Sequence, residues 1–184
     1  CANSKSIVML TSLLILFSSV FNVSANADTA RASEWKVLDR GEYTISHPAE
    51  WTVDVSGNSG MDFIISSPFT DEEDIYNDFI NLTILPMTGL NKTLDSYAKE
   101  VSHDIPFFYQ KSLIRENKKD KKGNRDCYVL TYAGLFSEFP LAIHQYIWFE
   151  NESSYSLTFT AEQKSFEQWD EIALRIMDSF AFKK

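Results

Sequence analysis

The strongest constraint on the fold lies between residues 141 and 161. Leu141 to Glu150 and Ser153 to Ala161 are two apolar-rich runs separated by Asn151-Glu152, the spacing of a β-hairpin. In the first run Ile143, Ile147 and Phe149 fall on one face, and Tyr146 and Trp148 on the other. A strand with bulk on both faces belongs in the middle of a sheet covered on both sides. In the second run Tyr155, Leu157 and Phe159 alternate with Ser156, Thr158 and Thr160, which predicts a half-buried antiparallel strand. A helix pattern follows directly. Phe166, Trp169, Ile172, Ala173, Ile176, Met177 and Phe180 trace one wide apolar face, and Ser165 with Gln168 has the spacing of a capping box. Sheet and helix must pack together.

Upstream, strand patterns recur at Trp35–Asp39, 42–46, 51–55, 61–66 and 79–85. Pro48 is expected to break the second, and Gly57 and Gly60 mark a turn. Leu94, Tyr97, Ala98, Val101 and Ile105 form a helical stripe beginning after Thr93, which Pro106 is expected to limit. An irregular stretch from Phe107 leads into a strand through Ile114, and a further strand runs from Asp126 to Tyr132. Two helices and about eight strands, grouped rather than alternating, predict an α+β fold with an antiparallel sheet between helices. The domain spans residues 35–184, with no internal repeat, and 28–34 read as a short tether.

Residues 1–27 read as a secretory signal. Lys5 precedes an apolar stretch from Ile7 to Phe21, and Ala25-Asn26-Ala27 supplies small residues for cleavage after Ala27. The stretch is short for a membrane span, although an uncleaved anchor is the alternative. Cys1 comes before the apolar stretch rather than after it, against a lipoprotein signal. Cleavage leaves 16 Lys and Arg against 26 Asp and Glu, a formal charge of −10, with no stable membrane insertion. It also leaves Cys127 as the one cysteine, expected to be a small buried hydrophobe. The predicted location is periplasmic or secreted.

An acidic chain with one basic cluster does not suit nucleic acid. That cluster, Lys118, Lys119, Lys121, Lys122 and Arg125, reads as the solvated tip of a hairpin turning at Gly123-Asn124. No nucleophile elbow, Gly-rich phosphate loop or His pair at ligand spacing occurs, so neither an enzyme nor a cofactor is expected. Asp71-Glu72-Glu73-Asp74 lacks the alternation and glycine of a calcium loop. His144 is the most notable histidine, because a crowded strand must give it a partner. Phe107, Phe108 and Tyr109 fall outside any clear period beside Pro106, and are the candidate recognition patch.

The segments Tyr43-Thr44-Ile45-Ser46-His47-Pro48-Ala49-Glu50-Trp51 and Tyr155-Ser156-Leu157-Thr158-Phe159-Thr160-Ala161, with the helix ending Ile176-Met177-Asp178-Ser179-Phe180, resemble the opening and closing segments of PsbP-like domains. The resemblance covers residues 35–184, and the DcrB-like bacterial envelope branch is the nearest. It implies a central antiparallel sheet between helices (an α/β/α sandwich) and a habit of docking on other proteins without a common chemistry. The expected function is thus a non-enzymatic exported accessory protein docking on an envelope protein partner. The alternative is a small-ligand or divalent-metal domain using the acidic run or His144.

Overall fold

The computed structural model describes residues 34–69 and 77–183. The leader, most of the tether and the Asp71–Asp74 run lie outside these residues. Ten strands and two helices follow in the order β1 (Trp35–Asp39), β2 (Tyr43–Pro48), β3 (Thr52–Asp54), β4 (Phe63–Ser66), β5 (Phe79–Pro86), α1 (Leu94–Phe108), β6 (Gln110–Lys122), β7 (Arg125–Phe136), β8 (Phe139–Glu150), β9 (Ser153–Glu162), α2 (Phe166–Asp178) and β10 (Ala181–Phe182). Seven strands form an antiparallel sheet in the order β3-β4-β5-β9-β8-β7-β6, and β1-β2-β10 form a small second sheet. One core joins the large sheet to α2 and β2, through Phe63, Ile80, Leu157, Phe159, Trp148, Trp169 and Ala173 among others. A second joins the opposite face to α1, through Tyr97, Val101, Ile105, Leu130, Tyr132, Ile143 and Ile147. The architecture is the expected α+β sandwich.

The β8–β9 hairpin forms as the sequence predicts. Asn151 and Glu152 both take left-handed φ, 48° and 59°, the conformation of a two-residue turn that matches strand twist. Glu152 is held there by Met87, whose N–H donates to its carbonyl at 2.7 Å. However, β9 is not half buried. Ser154, Ser156, Thr158 and Thr160 are as buried as Leu157 and Phe159, because β9 is the middle strand of seven with a layer on each side. Small hydroxyl side chains that looked solvated line the α1 face instead.

Three local expectations are corrected by hydrogen-bond geometry. Pro48 does not break β2. Ala49 N–H donates to Glu34 C=O and Arg40 N–H to Tyr43 C=O, so by alternation the missing N–H of Pro48 faces away from β1. β10 pairs only with Tyr43 and Thr44 and does not reach that position, so no ladder bond is lost. Ser165 makes no capping box; its hydroxyl donates back to Glu162 C=O at 3.2 Å. A capping box forms on α1 instead, between Thr93 and Ser96. Finally, Pro106 lies inside α1, which continues to Phe108, and β6 starts two residues later with no irregular stretch between. The basic residues Lys118 to Lys122 therefore sit along an edge strand rather than at a hairpin tip, a placement that discourages edge-to-edge aggregation.

Candidate functional site

The last turn of α1 and the first residues of β6 are joined through Tyr109 alone, and the structure separates the Phe107-Phe108-Tyr109 triplet. Tyr109 is 3% exposed. Its ring meets Tyr132 edge-on at 5.3 Å and Phe136 at 5.6 Å, and its N–H donates to Ile105 C=O at 2.8 Å. Gly134 makes this seat possible, since a Cβ there would fall 2.9 Å from the Tyr109 Cβ. Phe108 is half buried and packs on the α1-side core. Phe107 points outward, 75% exposed, with only the His103 ring beside it at 5.6 Å. Tyr109 is thus an anchor, and Phe107 is the residue of the three that a partner can reach.

Leu113 and Ile114 extend the apolar surface, at 61% and 38% exposed. Two irregularities in the β6–β7 register, between Gln110 and Leu113 and between Ile114 and Glu116, each place an extra residue in β6. Lys111 takes a left-handed φ of 52° in the first of them. Lys111 and Arg115 carry no ion pair among the described residues, whereas farther along the strand Lys118 pairs with Glu116, Lys119 with Asp95 and Lys122 with Asp178. Aliphatic groups next to unpaired cations therefore surround Phe107 in sequence. Sequence periodicity pointed to Phe107 but missed Leu113 and Ile114, because the bulges that expose them leave no regular pattern.

The remaining candidates are dispersed. Cys127 is fully buried, and burial pushes its thiol up to about 11, so it is an inert packing residue. His47 is buried with Nδ1 2.8 Å from Pro48 C=O, and His103 is exposed beside Asp104. His144 lies between Thr131, whose Oγ1 is 3.2 Å from Nδ1, and the α2 layer; its Nε2 is buried with no partner. Burial lowers its pKa, against the opposing pull of Asp170 and Glu116. No group of three His, Cys, Asp or Glu side chains among the described residues is arranged to hold a metal ion.

A cavity of about 250 Å³ is lined by Gly41, Glu42, Glu150, Asn151, Tyr155, Phe182 and Lys183. Inside it Tyr155 donates to Glu42 at 3.1 Å, and burial is the main cause that raises the phenol to about 12. Arg125 pairs with Glu150 and lies 4.7 Å over the Phe182 ring, so the chain's own cation already uses these acceptors. The volume falls below the range of about 300–1,000 Å³ usual for small-molecule pockets.

No protein-family model and no curated protein matches this sequence. Solved structures do match, all at low identity. Cyanobacterial PsbP (CyanoP) from Synechocystis sp. PCC 6803 superposes with a TM-score of 0.61 at 14% identity, covering 82% of this chain and 94% of that one. LpqN of Mycobacterium tuberculosis, involved in cell envelope biogenesis, gives 0.60 at 12% identity over 86% of this chain and 96% of that one. A Pseudomonas aeruginosa protein of unknown function gives 0.59 at 8% identity, covering 83% and 99%. The fold is that of the PsbP-like α+β sandwich. Likeness at this identity carries the fold and no more.

Proposed function

We propose that this chain is an exported, non-enzymatic accessory protein that docks on a protein partner in the cell envelope. The observation that carries the reading is the outward-facing Phe107, held on the rigid seat of Tyr109 and continued by Leu113 and Ile114. A large aromatic ring kept in water beside aliphatic groups and free cations is a surface that gains by being covered. Export rests on the leader-like residues 1–27, and no described helix is long and apolar enough to cross a membrane. The link to DcrB-like envelope proteins rests on the segments 43–51 and 155–161. LpqN's part in envelope biogenesis agrees with such a role without assigning it.

The test is affinity recovery of tagged protein from its native envelope, read by mass spectrometry. One partner recovered near stoichiometry from wild type and lost with Phe107→Ser supports the proposal. Recovery unchanged by Phe107→Ser and Leu113→Ser moves docking to another surface. A second reading, small-ligand binding, draws on the unpartnered Nε2 of His144. Calorimetric heats with divalent cations that vanish in His144→Phe would favour it over docking.

A further inference from the structure

The two sheets present four strand edges, and three are closed to strand addition. The β6 edge carries two bulges and a row of lysines. The β3 edge is three residues long and the β10 edge two. The fourth is the outer edge of β1, five residues in unbroken register with β2 and free of proline and bulges. Val37 at its centre is 64% exposed.

The ladder fixes which backbone groups face outward. Ala49 N–H donates to Glu34 C=O, and Arg40 N–H to Tyr43 C=O. Antiparallel pairing alternates, so Glu34, Lys36, Leu38 and Arg40 turn their amides towards β2. Trp35, Val37 and Asp39 turn theirs outward, and no other backbone group among the described residues meets them. These three positions are symmetric about Val37. We infer that the β1 edge pairs with the β1 edge of a second copy of this chain, antiparallel and centred on Val37, fusing two three-stranded sheets into one of six strands.

A second copy fits this edge because the register is self-complementary. Val37 lies opposite Val37, and Trp35 opposite Asp39, all as hydrogen-bonded pairs. Lys36 lies opposite Leu38, and Glu34 opposite Arg40, so no like charges meet and two ion pairs flank the junction. The dyad thus satisfies the outward amides of three residues in each copy.

The geometry also supplies a selective test. The Val37 N–H takes no part in the β1–β2 ladder, so Val37→Pro removes the central donor of the dimer while keeping the bonds to β2. Sedimentation equilibrium of the purified protein, up to millimolar concentration, should show a monomer–dimer equilibrium. Val37→Pro should raise its dissociation constant by about tenfold or more. Val37→Lys, which sets like charges face to face without a backbone change, should do the same if the proline variant does not fold. Amide exchange should show Trp35, Val37 and Asp39 gaining protection with concentration, while Lys36 and Leu38 are protected throughout. A monomer at every concentration overturns the inference. So does a dimer whose outward β1 amides stay open, or one that both Val37 variants leave intact.

Discussion

The two faces of the central sheet are equally buried but built from different chemistry. The face under α2 is packed with Ile80, Leu82, Leu157, Phe159, Tyr146 and Trp148, and its unpartnered polar atoms are ring nitrogens of Trp51, Trp169 and His144. The face under α1 carries the cross-strand row Asn81–Thr158–Gln145 with Thr83, Ser154, Ser156 and Thr160, and its unpartnered atoms are oxygens. Hydroxyl side chains are short enough to let a layer close over them, and several find each other. Gln145 donates to Thr158 at 3.0 Å and Asn81 to Thr83 at 3.4 Å. Burial can therefore be achieved with polar atoms, but it leaves some without a partner, which costs stability.

This contrast can be broken first on the apolar side. Phe159→Ala removes a fully buried ring from the middle strand and should cost about 3–5 kcal/mol in a urea melt. Gly134→Ala, on the α1 side, forces a methyl against Tyr109 and should cost about 1–3 kcal/mol by the same measurement. Thr160→Val should act in the opposite direction. The Thr160 hydroxyl is buried without a partner, so an apolar isostere should leave stability unchanged or raise it by up to about 1 kcal/mol. A loss above that would show that the hydroxyl is satisfied.

The smallest effect concerns His144, the polar exception on the apolar face. Burial holds the imidazole neutral, so its folded pKa lies below the ordinary 6.5. The unfolded chain then binds the proton more readily than the fold does. The stabilisation is fully present above the unfolded pKa and lost as pH falls towards the folded value. Melting temperature should drop between about pH 7.5 and about pH 5 by more in wild type than in His144→Gln. Equal drops would remove His144 from the pH response.

Where side-chain size and period agree, the sequence was legible. The β8–β9 hairpin, the apolar face of α2, the buried Cys127 and the two-layered cover of the sheet all follow from spacing alone. What misled were residues whose environment depends on distant chain. Ser and Thr on β9 look wet until the position of the strand in the sheet is known. Pro48 looks disruptive until the direction of its missing N–H is known. The docking surface was half legible: a displaced aromatic triplet marks the place, but only the packing of Tyr109 under Gly134 decides which ring is left outside.

The pairing of β10 with β2 joins segments more than a hundred residues apart, whereas β6 to β9 are linked by successive hairpins. Contacts between chain neighbours form at low entropic cost and distant ones at high cost. A chain emerging N-terminus first can assemble the meander β6–β9 while Tyr43 and Thr44 still wait for Ala181 and Phe182. The small sheet is then the latch of the molecule, closing last, and until it closes the N-terminal strands remain within reach of whatever escorts the chain.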